Sequence, residues 1–404
     1  MQLKKINIER SPEGADRLRV VGEVIYDDGP SKPELYWFEY PKSHEKFLST
    51  SGNAWVSCLA PLAMKIGEPL YINAEVDPVH LDNTRQFIKV FKIWFPELTQ
   101  ITVDVKQLSE PKLVEKKTLA FFSSGIDSLF TLLRYNGGLE KDPKEHIDSL
   151  AMIFGFDIPL NKREFFVKKF ERARQFVDQF GVELFEITTN IRETRIKDTN
   201  WGSLTHGAAL GALGLCLEKG YSRVLIASSG GYADLTPWGS HILTDPLFST
   251  SKTSFSHDTP EYERWDKLCE IIKFKPMMEI LHVCNHSFTH ENCCRCEKCL
   301  RTLIIIDLLG QLDQCVTFDL RKYDPLNIKK IFMLTDKVEI DWQYIKRLAV
   351  EKKRPEIFSY VEHSFRSTRK IRTKLDFIDR FHKTRVLWRL SHHWRRRIEK
   401  GVII

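Results

Sequence analysis

Residues 118–130, TLAFFSSGIDSLF, place an apolar run, a turn of small residues and the start of a helical pattern in direct succession. Small residues let backbone N–H groups approach an anion closely, and a helix N-terminus adds partial positive charge. We therefore predict a strand, a phosphate-binding loop and a helix, with the ligand held by Ser123, Ser124, Gly125, Ile126, Asp127 and Ser128. An ordinary turn with a Ser or Asp cap is the alternative. The loop is not of the Walker type, because the chain contains no GxxxxGK followed by Ser or Thr.

The chain that follows this unit alternates between strand-like and helix-like patterns as far as residue 227. Apolar runs such as SLAMIF and SRVLIA alternate with amphipathic stretches such as REFFVKKFERARQFV. Such alternation predicts an α/β fold, a doubly wound parallel sheet with helices on both faces. Ligands of such sheets collect at the carboxyl ends of the strands, which is where the predicted loop lies.

Three segments are predicted as domains. Residues 1–110 are rich in β-branched and aromatic residues and predict a β-rich accessory domain, with QFIKVFKIWF (residues 86–95) as one of its strands. The polar residues 108–117 predict a linker into the central α/β domain, residues 111–315. Residues 316–404 predict a helical, basic C-terminal region.

Composition and charge exclude several classes of protein. A length of 404 residues suits two or three domains, and 42% apolar with 28% charged residues excludes disordered and collagen-like chains. The formal charge is +7, but residues 321–404 contain 23 Lys and Arg against 10 Asp and Glu. The basic amphipathic pattern from Phe381 onward predicts either a solvated face or an anionic partner, such as a nucleic acid, a protein or a membrane surface. No apolar stretch is long enough for a membrane span or a leader, so we expect a cytoplasmic location.

Four cysteines have the spacing of a metal site. Cys284, Cys293, Cys296 and Cys299 form C-x8-C-x2-C-x2-C, which favours metal binding over a disulfide framework. Four thiolates close the tetrahedral coordination of Zn²⁺ and are typical of a structural site. An iron–sulfur cluster uses the same ligands and stays open as an alternative. The spacing does not need Cys294, a fifth thiol, which we interpret as a small residue in a tight turn, with an exchange of metal ligands or a redox role as the alternative.

Together the loop and the cysteines resemble a known family. SSGIDS resembles the SGGxDS signature of the PP-loop ATP pyrophosphatases, with Ser124 where the family usually has its first glycine. With the cysteine spacing added, residues 118–309 resemble 7-cyano-7-deazaguanine synthase. Phe156-Asp157 is similar to the FDYG segment of that family, and residues 231–234 are similar to its SGYPD loop. Cys294 stands where the cysteine run of the family has a glycine.

The resemblance implies an ATP-dependent ligase with ATP, Mg²⁺ and Zn²⁺ as its ligands. ATP would activate a carboxylate, 7-carboxy-7-deazaguanine or a relative, for attack by ammonia or another amine. Catalytic roles are implied for Ser123, Asp127 and Ser128, and nucleotide contacts for the whole loop with Phe156 and Asp157. The chain after residue 230 departs from the family, and we expect a remodelled substrate pocket made by Tyr232, Asp234, Trp238, His241 and Asp245.

Two other functions stay open from the sequence. A diverged PP-loop enzyme would modify or conjugate a macromolecule, as in tRNA thiolation or antiviral defence, and the surplus Cys294 and the basic tail motivate this reading. A catalytically inactive module would keep the fold and the metal site in order to bind a nucleotide or a partner. Each of these functions is compatible with a homodimer of this chain.

Overall fold

A computed structural model describes residues 1–29, 32–140, 145–233, 235–284, 286, 288, 292–333 and 336–380. The predicted substrate residue Asp234 and the basic segment 381–404 lie outside the described residues. The chain forms two compact units, Met1–Lys267 and Leu268–Ile404. Within the described part, no helix combines the length and the apolar character that crossing a membrane requires.

The described part of the first unit contains ten strands and six α-helices, the last of which extends past Lys267. The strands are β1 (Gln2–Arg10), β2 (Arg17–Ile25), β3 (Glu34–Pro41), β4 (Leu70–Val76), β5 (Val103–Leu108), β6 (Lys117–Phe121), β7 (Ser149–Phe154), β8 (Glu183–Thr189), β9 (Tyr221–Ala227) and β10 (Ser254–Asp258). The helices are α1 (Asn53–Ile66), α2 (Pro78–Trp94), α3 (Ile126–Asn136), α4 (Arg163–Val177), α5 (His206–Leu215) and α6 (Arg264–Ile271). The boundary between the two units falls within α6.

All ten described strands belong to one sheet, in the order β10-β9-β6-β7-β8-β3-β2-β1-β4-β5. The strands from β10 to β8 are parallel. Strands β8, β3, β2 and β1 pair antiparallel, and β1, β4 and β5 are again parallel. The prediction of an α/β fold with a large, mostly parallel sheet is therefore confirmed.

The strands β6 to β10 have the order of a doubly wound sheet. Numbered along the chain they run 3-2-1-4-5, so the order reverses between β6 and β9. In β10, Phe255 lies against Gly214 of α5, whereas Asp258 accepts a hydrogen bond from Thr131 of α3 at 2.6 Å. Residues three apart in a strand point to opposite faces, so α3 and α5 cover opposite faces of the sheet.

The N-terminal region differs from the β-rich domain that we expected, because it contains the helices α1 and α2. The predicted strand 86–95 lies largely in α2. Asp77 caps this helix by accepting the His80 N–H at 3.0 Å, and Pro78 occupies its first position. The buried residues of α2 follow helical spacing: His80, Leu81, Thr84, Phe87, Ile88 and Phe91. Helical periodicity and the cap therefore override the β propensity of Phe, Ile and Val here.

The first 110 residues also extend the same sheet, where we expected a separate domain. β3 pairs antiparallel with β8, and Phe38 lies opposite Thr189. The compact units divide the chain after Lys267, whereas the predicted segments end at residues 110 and 315. A pairing between strands 150 residues apart leaves no mark in local composition, which is why the sequence alone did not reveal it.

The described part of the second unit is helical around a short irregular segment that carries the cysteines. Its helices are α7 (Lys275–Met278), α8 (Glu297–Leu308), α9 (Asp336–Glu351) and α10 (Pro355–Arg380). Helix α8 is buried on nearly all sides. It begins directly after Cys296 and includes Cys299 in its first turn.

Candidate functional site

The predicted phosphate loop lies at the point where the strand order reverses. Residues 122–125 connect the carboxyl end of β6 to α3, with β7 on one side of β6 and β9 on the other. Chain segments leave a doubly wound sheet in opposite directions at this point and open a crevice between them. The loop therefore lies where such folds bind their ligands.

The loop is held in shape by its own side chains. The Ser123 N–H donates to Ser128 Oγ at 3.2 Å, and the Gly125 N–H donates to Ser123 Oγ at 3.3 Å. Ser128 Oγ in turn donates to the Gly125 carbonyl at 3.2 Å. Gly125 is the N-cap residue of α3, and no side chain caps the helix. The first amides of α3 are thus available to an anion.

Ser124 adopts a conformation that normally belongs to glycine. Its φ is 59°, in the left-handed region. The residue is only 1% exposed, and its hydroxyl has no hydrogen-bond partner among the described residues. The backbone at residue 124 thus has the geometry that glycine favours, although the residue is serine.

A cavity of about 260 Å³ opens beside this loop, at the carboxyl ends of β6, β7 and β9. Its apolar wall comes from these strands and from α5, with Phe121, Ile153, Ile226 and Leu210 as typical members. Its polar lining consists of Ser123, Asp127, Ser128, Asp157, Lys169 and His206. The structure thus brings the loop and the predicted Phe156–Asp157 pair to one cavity, although about 30 residues separate them in the chain.

Two cations lie beside the loop on α6. Arg264 Nη2 is 2.5 Å from Asp127 Oδ2, and this ion pair is largely buried. The Lys267 ammonium donates to the carbonyl and to the hydroxyl of Ser228, both at 2.7 Å, directly after β9. Burial lowers the pKa of Lys267, and the nearby Asp127 opposes that shift. Both cations therefore add positive charge close to Asp127 of the loop.

Aromatic side chains form one side of the cavity. The rings of Phe156 and Trp201 meet edge to face at 4.7 Å, and the Arg192 guanidinium lies 4.7 Å from the Trp201 ring. Arg192 also donates to the Phe156 carbonyl at 3.3 Å. Such surfaces suit a flat ring. Trp238 is adjacent, with its ring 6.0 Å from that of His206.

The residues predicted as a substrate pocket do not form one group. Tyr232 is 59% exposed, and its backbone N–H donates to Pro260. His241 and Asp245 are buried in a separate hydrogen-bonded turn, where the His241 N–H donates to Asp245 at 3.1 Å. The ring of Trp238 lies next to His206, a side chain that lines the cavity.

Sequence reasoning missed four charged or titratable groups of this site: Lys169, His206, Arg264 and Lys267. None follows a recognisable motif. Lys169 is one of several basic residues on an amphipathic helix, and His206 opens α5 like any helix-start histidine. The topology of the sheet could have indicated these residues, because in a doubly wound sheet the segments that follow the parallel strands all begin at the same edge.

The four predicted metal ligands lie together in the second unit. Their Sγ atoms are all within 4.8 Å of one another, with Cys284 to Cys296 at 4.0 Å and Cys293 to Cys299 at 3.8 Å. Sulfurs bound tetrahedrally to Zn²⁺ at about 2.3 Å are roughly 3.8 Å apart, so the donor set fits a metal such as zinc. Hydrogen bonds from the neighbouring thiols, that of Cys293 first, lower the pKa of Cys284 well below its usual range.

Hydrogen bonds between side chains and backbone shape the turn that carries these ligands. Asn292 Oδ1 accepts the N–H groups of Val283 and Cys284 at 2.9 and 3.0 Å, which ties the first ligand to the later ones. Cys294 has a φ of 57° in the left-handed region, is fully buried, and donates to the Asn292 carbonyl at 3.3 Å. Cys294 is not a member of the four-thiol group, as expected for a turn residue.

In comparisons with known proteins, no family model, no curated protein and no solved structure matches this chain.

Proposed function

We propose that this chain is an ATP-dependent ligase of the 7-cyano-7-deazaguanine synthase type, which activates a carboxylate for attack by ammonia or another amine. One observation carries the proposal: a single cavity, where the strand order reverses, is lined both by the loop residues Ser123, Asp127 and Ser128 and by Phe156 and Asp157. The resemblance assigns both segments to one nucleotide, and both border the same space.

The loop supplies the chemistry that a triphosphate needs. The uncapped amides of α3 and the hydroxyls of Ser123 and Ser128 are donors for phosphate oxygens. Arg264 and Lys267 add positive charge beside them. Asp127 is the carboxylate that would hold Mg²⁺, which neutralises phosphate charge when bound. In that state Arg264 would pair with phosphate in place of Asp127.

The conformation of Ser124 supports the same interpretation. A residue with a φ of 59° keeps the left-handed turn that lets consecutive N–H groups converge on an anion. Glycine is the residue that usually permits this turn. Serine at this position therefore leaves the geometry of the signature intact.

The reaction follows from these roles. A carboxylate oxygen of the substrate attacks the α-phosphorus of ATP, and pyrophosphate leaves. The α3 amides and Ser128 stabilise the charge that develops on the leaving pyrophosphate. The aromatic side of the cavity, Phe156 with Trp201, holds a flat ring beside the loop. Attack of ammonia on the acyl-adenylate then releases AMP.

The four cysteines act as a structural zinc site in this proposal. All four coordination positions are taken by thiolates, so none remains for a substrate or a water molecule. The site's function is to fold the segment between Cys284 and α8. Elemental analysis that finds one zinc and no iron or acid-labile sulfide would support it over an iron–sulfur cluster.

The proposal is tested by incubating the protein with ATP, Mg²⁺, ammonia and 7-carboxy-7-deazaguanine. We expect AMP together with an amide or a nitrile. Asp127→Asn should lower AMP formation about 100-fold, because the loop loses the carboxylate for Mg²⁺ and the partner of Arg264. The matched control is Asp82→Asn, which breaks an exposed Asp–Arg pair in α2 (Asp82 to Arg85, 2.8 Å) and should leave the rate unchanged.

The possible outcomes separate the proposed ligase from the other functions. ATP binding without any turnover would favour the inactive nucleotide-binding module. AMP formation that requires a tRNA or a protein acceptor, and not ammonia, would favour an enzyme that modifies a macromolecule. No binding of ATP at all would contradict a nucleotide site in this cavity.

A further inference from the structure

A buried histidine–aspartate pair lies at the carboxyl end of β10. His257 Nδ1 is 2.7 Å from Asp245 Oδ2, which also accepts the Ser240 hydroxyl at 2.7 Å. The other oxygen of Asp245 accepts the His241 N–H. The carboxylate thus acts as an acceptor, so we assign the proton of the neutral His257 ring to Nδ1 and the lone pair to Nε2.

His257 faces the same side of the sheet as the wall of the cavity. It is the register partner of Ile226 in β9, and Ile226 lines the cavity. Register partners on neighbouring strands point to the same face and lie about 4.8 Å apart. His257 is therefore one strand spacing from the cavity wall, on the face covered by α5.

Residues 239–240 connect the pair to His206, which lines the cavity. A Cβ added to Gly207 would lie 2.0 Å from the Gly239 carbonyl oxygen, and one added to Gly239 would lie 2.7 Å from His206 Nδ1. His206 lines the cavity, and Ser240 donates to Asp245. The segment that holds Asp245 is thus packed directly against the start of α5, with no space for a side chain between them.

We propose that His257 accepts the proton of the attacking amine in the second half-reaction, with Asp245 as its positioning residue. This inference rests on the proposed ligase function. The amine nitrogen forms a bond to the acyl carbon of the adenylate and loses one proton to His257 Nε2. The bond between that carbon and the phosphate oxygen breaks, and AMP leaves with the electron pair. The proton then passes from His257 to water.

His257 suits this role because of its charged neighbour. His257 has a buried carboxylate at 2.7 Å, and an opposite charge at this distance stabilises the imidazolium that forms when the proton is taken.

The experiment compares two nucleophiles on the same adenylate. Hydroxylamine is uncharged at neutral pH and attacks acyl-adenylates without a base, whereas most ammonia is protonated and depends on one. With ATP, Mg²⁺ and 7-carboxy-7-deazaguanine, we expect His257→Gln to form hydroxamate like the wild type and to form amide about 100-fold more slowly. Asp245→Asn should likewise form hydroxamate at the wild-type rate and amide more slowly, because the substitution removes the negative charge and keeps the shape of the side chain.

The control is His146→Gln, which breaks an exposed His–Asp pair at the amino end of β7 (His146 to Asp148, 3.1 Å) and should change neither product. Equal loss of hydroxamate and amide in both site variants would overturn the inference, because it would show a structural role. Unchanged amide formation in both would overturn it as well. If the wild type itself forms no hydroxamate, the proposed function fails, and the inference fails with it.

Discussion

The loop cavity of the first unit and the cysteine cluster of the second are built over very different lengths of chain. The four thiols come from residues 284–299, and one turn with the start of α8 brings them together. The cavity takes side chains from Phe121 to Ala227, and its cationic neighbours lie as far along as Lys267. A short-range site is readable from spacing alone, whereas a long-range site depends on strand order.

The two regions nevertheless share one backbone feature. Ser124 and Cys294 stand where the resemblance expects glycine, and both have a left-handed φ, 59° and 57°. They differ in how the side chain is accommodated. The Cys294 thiol donates a hydrogen bond, whereas the Ser124 hydroxyl has no partner among the described residues. The polar group of Cys294 therefore has a hydrogen-bond partner in its turn, whereas that of Ser124 has none among the described residues. Substitution of each residue tests this difference.

The largest effect is expected at the cluster. Cys299→Ser should remove the metal and unfold the described part of the second unit, because structural zinc contributes on the order of 10 kcal/mol to folding. Hydrogen exchange should then be fast in residues 268–380 and remain slow in β6 and β7 of the first unit. Cys269→Ser, which changes a half-buried cysteine outside the cluster, is the control and should retain the metal. Full metal content in Cys299→Ser would contradict the assigned ligand set.

A smaller effect, confined to the first unit, is expected in acid. Burial lowers the pKa of His80 to about 4, since the ring is enclosed and bonded to the Ser57 hydroxyl and to backbone carbonyls. A folded-state pKa below the unfolded value of about 6.5 gives stability that is fully present above pH 6.5 and is lost as the pH falls toward 4. The loss should be roughly 3 kcal/mol from this group.

Chemical denaturation at several pH values, followed by hydrogen exchange in the first unit, measures this loss. His80→Gln should be less stable at neutral pH and should show a shallower decline in acid. His146→Gln changes an exposed histidine and should keep the wild-type slope. An equally steep decline in His80→Gln would assign the acid sensitivity to other groups.

The smallest effects are expected at the two left-handed residues. Ser124→Gly should raise the free energy of unfolding by about 1 kcal/mol, because it relieves the left-handed strain and removes an unpaired buried hydroxyl. Cys294→Gly relieves the same strain but loses a packed, hydrogen-bonded thiol, so its stability should change less. Ser123→Gly is the contrast, since Ser123 Oγ accepts the Gly125 N–H and its loss should be destabilising. A destabilised Ser124→Gly variant would show that the Ser124 hydroxyl has a function in the loop.

The central α/β pattern could be predicted from sequence because its signals are local. The segments of β6 to β9 are short, largely apolar runs, α3 and α4 have the spacing of amphipathic helices, and α5 is a run of small and apolar residues; the structure has strands and helices there. Helix α1 was missed because it is apolar on nearly every side and contains Pro61, so it has no amphipathic period. Residues 254–258 form β10, which lies beyond the alternation recognised up to residue 227.

The candidate site could be predicted only where residues follow a motif. Ser123, Asp127, Asp157 and the cysteines were found in this way, and the cavity and the cluster contain them. Arg264 and Lys267 could not be found, because their position beside the loop results from the path of the chain after β10. Such a position depends on the order of the strands in the sheet and not on the sequence of any one segment.

The central claim is that ATP activates a carboxylate at the loop cavity, and one isotope measurement tests it most directly. 7-Carboxy-7-deazaguanine labelled with heavy oxygen in its carboxylate is incubated with the protein, ATP, Mg²⁺ and ammonia, and the nucleotide products are analysed by mass spectrometry. Attack of the carboxylate on the α-phosphorus predicts heavy oxygen in AMP. Heavy oxygen in inorganic phosphate, or AMP without the label, would contradict the account.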